Sequence, residues 1–252
     1  SVFVILMKLK HTIFLHIPML NIFVTEIKMK KISKFFLLFS FCFILAVGCH
    51  SQPQSDVTPI DSNRIAVGTT LKPRTLDPAD NYELAGLNII YNVAESLYTY
   101  EVGTTNIKPL LATAMPKIDA SGLTYTIPLR TGVTFHDGAA FNAKAMEFSL
   151  QRFIKNGGKP AFLLGDVIKS VEATGEYELK ISLKQPFAAF PALLAFPGAC
   201  AVSPQAYKIG AGEFNPNQLI GTGKYKLNQF KSDSISLDPN PNYWGEAPAN
   251  QG

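Results

Sequence analysis

Reactive side chains are scarce in this sequence: 252 residues hold three cysteines and four histidines. Cys42 and Cys49 lie near the start and Cys200 stands alone in the body, so a chain beginning at Cys49 has no pair within its body for an internal disulfide. The leftover thiol at Cys200 sits in the apolar run 199–202 and reads as a small buried hydrophobe. No Gly-x-Ser-x-Gly, His-Glu-x-x-His or Cys-x-x-Cys spacing occurs, and the carboxylates are scattered rather than paired. Serine hydrolase, zinc peptidase, disulfide oxidoreductase and glycosidase chemistry therefore lose their usual signatures. A Cys200 and His136 dyad is the one enzymatic arrangement left open, against the core reading of Cys200. No enzyme, no metal and no cofactor are expected.

A long hydrophobic run is also missing. The longest apolar stretch, residues 35–47, spans 13 residues, whereas a helix needs about 20 to cross the hydrocarbon. A basic character is missing too, once the charge is placed. Residues 1–48 carry six lysines against Glu26, and removing that +5 from the overall +4 leaves −1 for the remainder. Nucleic-acid binding thereby loses its electrostatic basis.

What is present near the start is a secretory pattern. Met29-Lys30-Lys31-Ile32-Ser33-Lys34 is a cationic leader, the apolar core follows, and Gly48-Cys49 closes it. Leu45-Ala46-Val47-Gly48-Cys49 resembles a bacterial lipobox, which implies cleavage after Gly48 and acyl chains on the Cys49 thiol. Membrane lipid is thus an expected partner, through more than one chain, because a single chain anchors only marginally. Residues 1–28 begin with Ser1 and precede a complete signal, so they read as a spurious upstream extension; 29–48 is the signal peptide and 49–63 a flexible polar tether.

Beyond the tether, helix and strand patterns alternate. Residues 64–70 (RIAVGTT) read as a first strand, and 83–97 as a helix with Leu84, Leu87, Ile90, Tyr91, Ala94 and Leu97 on one face. Residues 123–129 alternate as a half-buried strand, with Pro128 pointing to an edge position, and 133–135 form a short strand. Asn142 is a candidate N-cap for a helix carrying Met146, Leu150 and Phe153 on one stripe and stopped by Gly157-Gly158. Residues 167–173 and 178–183 read as a hairpin, 186–196 as a buried helix, and 205–209 as a short helix. Strands 224–230 and 234–238 precede Asn242-Tyr243-Trp244-Gly245, and the last residues show no closing element. The class is α/β.

Four loops carry the recognisable chemistry. In Thr75-Leu76-Asp77-Pro78, Asp77 reads as a turn residue satisfying local amides or as a ligand contact. His136-Asp137-Gly138 is a turn, with His136 as a turn residue or, less simply, a metal ligand. Gly221-Thr222-Gly223 lets two backbones approach closely, without the lysine spacing of a phosphate loop. Tyr243 and Trp244 pack a core edge or wall a ligand.

Taken in order, Arg74-Thr75-Leu76-Asp77-Pro78, Leu110-Leu111-Ala112-Thr113, Gly122-Leu123-Thr124-Tyr125-Thr126, Val133-Thr134-Phe135-His136-Asp137-Gly138, Phe148-Ser149-Leu150, Gly221-Thr222-Gly223-Lys224-Tyr225 and Asn242-Tyr243-Trp244-Gly245 resemble one family. It is family 5 of the solute-binding proteins of bacterial ABC importers, the oligopeptide, dipeptide and nickel type. Lys224 stands where the family usually has proline. The resemblance implies a periplasmic-binding-protein-like (type II) two-lobed architecture, of which the first lobe (64–98 and 186–252) and an accessory subdomain (99–185) are expected here. It implies an exported protein that hands a peptide or other small solute to ABC permease subunits. Peptides lead, with nickel complexes, glutathione and sugars behind. Cleft contacts are expected from Thr69, Thr70 and Leu71 at the end of the first strand, and from Gly221, Thr222, Gly223 and Tyr225, because strand ends and glycine loops offer free backbone groups to an extended peptide. A structural lipoprotein, or a relic that binds nothing, is the other reading.

Overall fold

The structure, a computed structural model, describes residues 63–250. The signal at 29–48, Cys49 and the tether up to residue 62 lie outside the described residues, which belong to a unit running from Pro59 to Gly252. Residues 64–71 have no regular structure, with a bend at Thr70, are exposed along their whole length, and join none of the three sheets. The expected first strand is therefore not formed here, because a strand exists only with a neighbour to pair its backbone. Helix α1, Leu84–Val93, is shorter than expected and turned about its axis. It buries Gly86, Ile90 and Val93, while Leu84 and Tyr91 face solvent. The chain leaves the helix at Ala94, which is extended, so Ala94 and Leu97 enter the core as irregular backbone rather than as a helical stripe.

A hairpin of β1 (Tyr98–Tyr100) and β2 (Ile107–Pro109) follows, an element without strong alternation in the sequence. The central sheet is antiparallel and built from β3 (Lys117–Ile118), β4 (Thr124–Pro128), β5 (Ile168–Gly175) and β6 (Glu178–Leu183) in the order β3-β4-β6-β5. Pro128 lies on an inner strand, not an edge, paired with Glu178 of β6. It is tolerated because β3 reaches only Tyr125 and Thr126, and beyond it the Thr113 amide donates to the Pro128 carbonyl at 2.9 Å. The expected hairpin is β5-β6, closed around Glu176-Tyr177.

Helix α2, Ala143–Lys155, starts where the sequence placed it: Asn142 Oδ1 accepts from the Ala145 amide at 3.0 Å. Its stripe of Met146, Leu150 and Phe153 packs on Tyr125, Ile127, Leu179 and Ile181 of the sheet to make the larger core. Burying each such side chain stabilises the fold by about 1.5–3 kcal/mol. Gly157 then takes φ +72°, a left-handed turn that ends the helix. After α3 (Phe162–Gly165), the run 186–196 forms only α4 (Phe190–Leu193), followed by a 3-10 turn, Pro197–Ala199. Pro191 sits in the first turn of α4 and Pro197 follows six positions on, which leaves room for little more than one turn between them. Residues 205–209 form a turn and no helix, and 133–135 contribute only a bridge between Thr134 and Ala140. Strands β7 (Tyr225–Phe230) and β8 (Ile235–Pro239) pair antiparallel. The second core gathers Leu76, Ile90, Val93, Cys200, Val202, Tyr207 and Leu219. Among the described residues no helix is long and apolar enough to cross a membrane.

Candidate functional site

The turn at Thr75-Leu76-Asp77-Pro78 is a structural joint. Asp77 is fully buried and faces Arg152 of α2 through two hydrogen bonds, Nη1 to Oδ1 at 2.7 Å and Nη2 to Oδ2 at 2.6 Å. The same carboxylate accepts from the amides of Ala79 (3.0 Å) and Asn215 (2.7 Å), so both oxygens are occupied within the protein. Arg152 also donates to the carbonyls of Lys208 and Glu213 and lies 4.5 Å over the Tyr207 ring. Desolvating two charges is offset only when geometry is good and the remaining donors are filled, and here they are. The sequence reading did not single out Arg152, which lies off the stripe of Met146, Leu150 and Phe153 and finds its partner 75 residues away.

Gly221-Thr222-Gly223 lies against the end of α1. A Cβ at Gly221 would overlap the Val93 carbonyl and Ala94, and one at Gly223 would overlap the Val93 backbone, so only glycine permits this approach. The Gly223 amide donates to Val93 O at 3.0 Å, and the Gly221 carbonyl accepts from the His136 amide at 2.9 Å. Gly223 O accepts from His136 Nε2 (3.1 Å) and Asn240 Nδ2 (3.0 Å). These backbone groups, expected to be free for a solute, are spent on packing. Thr222 is buried, and its hydroxyl donates to Glu95 Oε2 at 2.8 Å.

Glu95, which the sequence reading did not single out, is the centre of this cluster. Its carboxyl group also accepts from Tyr243 Oη (Oε1, 2.7 Å) and Trp244 Nε1 (Oε2, 2.8 Å), and Arg130 covers the Trp244 ring at 4.2 Å. Burial raises the Glu95 pKa, opposed by hydrogen bonds from Trp244, Tyr243 and Thr222 and by the Arg130 charge. Tyr243 and Trp244 thus hold a core edge. At Lys224 the backbone carbonyl accepts from the Asn240 amide at 2.7 Å, a bond that needs no particular side chain at this position.

Tyr225 is half-buried, and its hydroxyl donates to Asn250 Oδ1 at 2.6 Å. Thr69, Thr70 and Leu71 are exposed around a bend, where Thr69 Oγ1 accepts from the Leu71 amide at 3.0 Å. Two open surface depressions of about 400 Å³ are present, one beside Lys72, Arg74, Phe230 and Lys231 and one beside Asn142, Phe148 and Gln205. Neither is lined by the seven expected contact residues. The Cys200 and His136 dyad is not formed. His136 Nε2 is committed to Gly223, and burial pushes the Cys200 thiol up to about 12, which keeps it protonated and unreactive. Among the described residues no group of three or more His, Cys, Asp and Glu is arranged to hold a metal ion.

Comparison with known proteins matches residues 106–252 to the bacterial extracellular solute-binding proteins, family 5 Middle. A glutathione-binding protein GsiB of Pectobacterium atrosepticum is 36% identical over 186 residues, covering 71% of this chain and 34% of that protein. NikZ from Campylobacter jejuni, solved in complex with Ni(L-His), superposes with a TM-score of 0.62 at 26% identity, over 70% of this chain and 35% of its own. DppA from Helicobacter pylori, solved with the peptide STSA, gives a TM-score of 0.59 at 27% identity over 70% and 39%. The chain spans about a third of the length of the curated relatives it matches.

Proposed function

The chain belongs to the bacterial extracellular solute-binding proteins of family 5, with the fold of part of a type II periplasmic binding protein, and from that premise we propose that it forms part of the solute-capturing component of an ABC importer. Members of this family bind solutes outside the cytoplasm, and the role here is capture and delivery without chemistry. The carrying observation is the alignment of 71% of the chain with a glutathione-binding protein at 36% identity. The solute class that follows is a short peptide, glutathione included, handed to a membrane permease.

In this reading residues 64–98 and 186–252 build the first lobe and 99–185 the accessory subdomain. The division follows the two cores only in part, since Leu97, Tyr98, Phe190 and Leu194 pack with the larger one. The proposed cleft contacts are Tyr225, which follows the Gly221-Thr222-Gly223 turn, and Thr69, Thr70 and Leu71. Gly221, Thr222 and Gly223 are all buried, with Thr222 Oγ1 and the Gly223 amide and carbonyl engaged inside, so they shape the cleft wall from within and the half-buried Tyr225 and the exposed Thr69, Thr70 and Leu71 are what a solute meets. Export uses the signal at 29–48, and anchoring uses acyl chains on Cys49. Closure of a second lobe on the bound solute is the state a permease distinguishes.

The test is calorimetric titration of the exported gene product with reduced glutathione and with defined di- and tetrapeptides. Saturable binding of one of these is the expected result, and none with any of them removes the capture reading. A fatty-acid analogue should label wild type and not Cys49→Ala; equal labelling of both ends the anchoring part.

A further inference from the structure

We propose that Glu95 is the positioning residue of the wall that leads to Tyr225: one buried carboxyl group ties the buried turn Gly221-Thr222-Gly223 and Asn242-Tyr243-Trp244 into a single rigid unit. The inference rests on the capture reading for what the wall is for, and on geometry for how it is held.

Glu95 lies 127 residues from Thr222 and 149 from Trp244, and its side chain receives a hydrogen bond from both loops. Oε2 is shared by Thr222 Oγ1 and Trp244 Nε1, each at 2.8 Å, so one oxygen atom is the junction between loops. Oε1 takes the Tyr243 hydroxyl at 2.7 Å. An acidic group 6% exposed is costly to bury, and an apolar side chain would fill the same space without that cost. What an apolar side chain lacks is the ability to join two loops through three donors. Both loops are then braced from outside the carboxyl. Asn240 spans them, donating Nδ2 to Gly223 O at 3.0 Å while its Oδ1 accepts from the Asn242 amide at 3.1 Å. Arg130, itself fixed by a bond from Nε to Leu110 O at 3.0 Å, covers the outer face of Trp244. The loops therefore share one anchor and one brace, and loosening either loosens the other.

Glutamine at this position reproduces the arrangement. Its amide oxygen replaces Oε2 for Thr222 and Trp244, and its NH₂ donates to the Tyr243 hydroxyl, which accepts as readily as it donates. Alanine leaves three donors without partners, that of Thr222 buried and those of Tyr243 and Trp244 partly buried.

The experiment uses the whole chain as wild type, Glu95→Gln and Glu95→Ala. Trp244 is the chain's one tryptophan, so its emission and acrylamide quenching report this site alone, and hydrogen exchange reads both loops. Glu95→Gln should match wild type. Glu95→Ala should shift Trp244 emission to the red and speed exchange of the amides at 221–223 and 240–245 together by roughly tenfold, with an unchanged far-UV spectrum. Protection retained in either loop, or Glu95→Gln as loose as Glu95→Ala, overturns the proposal. Should Glu95→Ala not fold, Thr222→Val and Tyr243→Phe each remove one donor. A change confined to the mutated loop overturns the proposal, and a change in the other loop upholds it. Glutathione titration of the same proteins keeps the two readings apart. Wild type that binds no solute while Glu95→Ala frees both loops ends capture and leaves the clamp standing; loops indifferent to Glu95 in a protein that binds glutathione do the reverse.

Discussion

His136 is the one imidazole beyond residue 50, and its Nδ1 is buried with no hydrogen-bond partner among the described residues. Because Nε2 faces the Gly223 carbonyl, it carries the proton and Nδ1 the lone pair. Burial pulls the pKa below 6.5, helped by Lys226 and opposed by the Gly223 carbonyl and Asp137. The unfolded chain then binds a proton more readily than the native one, so the contribution is whole above 6.5 and is lost as pH falls beneath it. Glu95 has the other sign. Burial raises its pKa, so its contribution is whole below 4.5 and fades as pH rises through the raised value. Each is isolated by its own variant. In urea denaturation between pH 7.5 and 5.5, wild type should lose stability relative to His136→Gln, which keeps a donor for Gly223; parallel profiles would show that the imidazole does not titrate in this window. At this scale the sequence disclosed the cap at Asn142 and the turn role of Asp77, both set by neighbours a few residues away. Glu95 and Arg152 escaped, because their partners lie 127 and 75 residues distant and no local pattern encodes them.

Elements whose register is set locally came out as read: α2 with its cap, the β5-β6 hairpin and the β7-β8 pair. Elements that depend on neighbours did not. The face of α1 is decided by what Gly86 and Val93 meet, and the apolar run 186–196 carried no period to separate a helix from irregular core. The glycine loop was legible as a close approach, and its partner, the end of α1, was not. Asp77 and Arg152 join three such elements: the turn before α1, helix α2 and the loop through Lys208 and Glu213. Removing one partner leaves a buried charge alone, at a cost of about 3–5 kcal/mol. Asp77→Ala should therefore lower the thermal midpoint sharply, while Asp77→Leu combined with Arg152→Met should recover a large part of the loss. A single variant as stable as wild type would mean that the pair is not what holds the three elements.

For the molecule as a whole, the consequential feature is the irregular segment 64–71. Ile65, Val67 and Leu71 are 63%, 80% and 56% exposed, on backbone that joins no sheet. Exposed apolar side chains on unpaired backbone form an open edge that another chain can cover. The same segment carries Thr69, Thr70 and Leu71, proposed to face the solute, so the edge and the proposed site share one stretch of backbone. The chain spans about a third of its relatives' length; in the proposed reading it offers one wall of a cleft, and a solute held on one side keeps its water on the other. Two outcomes follow for the chain of 252 residues. It should bind glutathione or short peptides weakly, and its average mass in sedimentation velocity should rise with concentration. Val67→Lys places a charge on the edge and should flatten that rise without changing the far-UV spectrum, since Val67 contributes nothing to either core. Wild type that stays monomeric at every concentration would mean that the exposed segment 64–71 is inert toward a second chain.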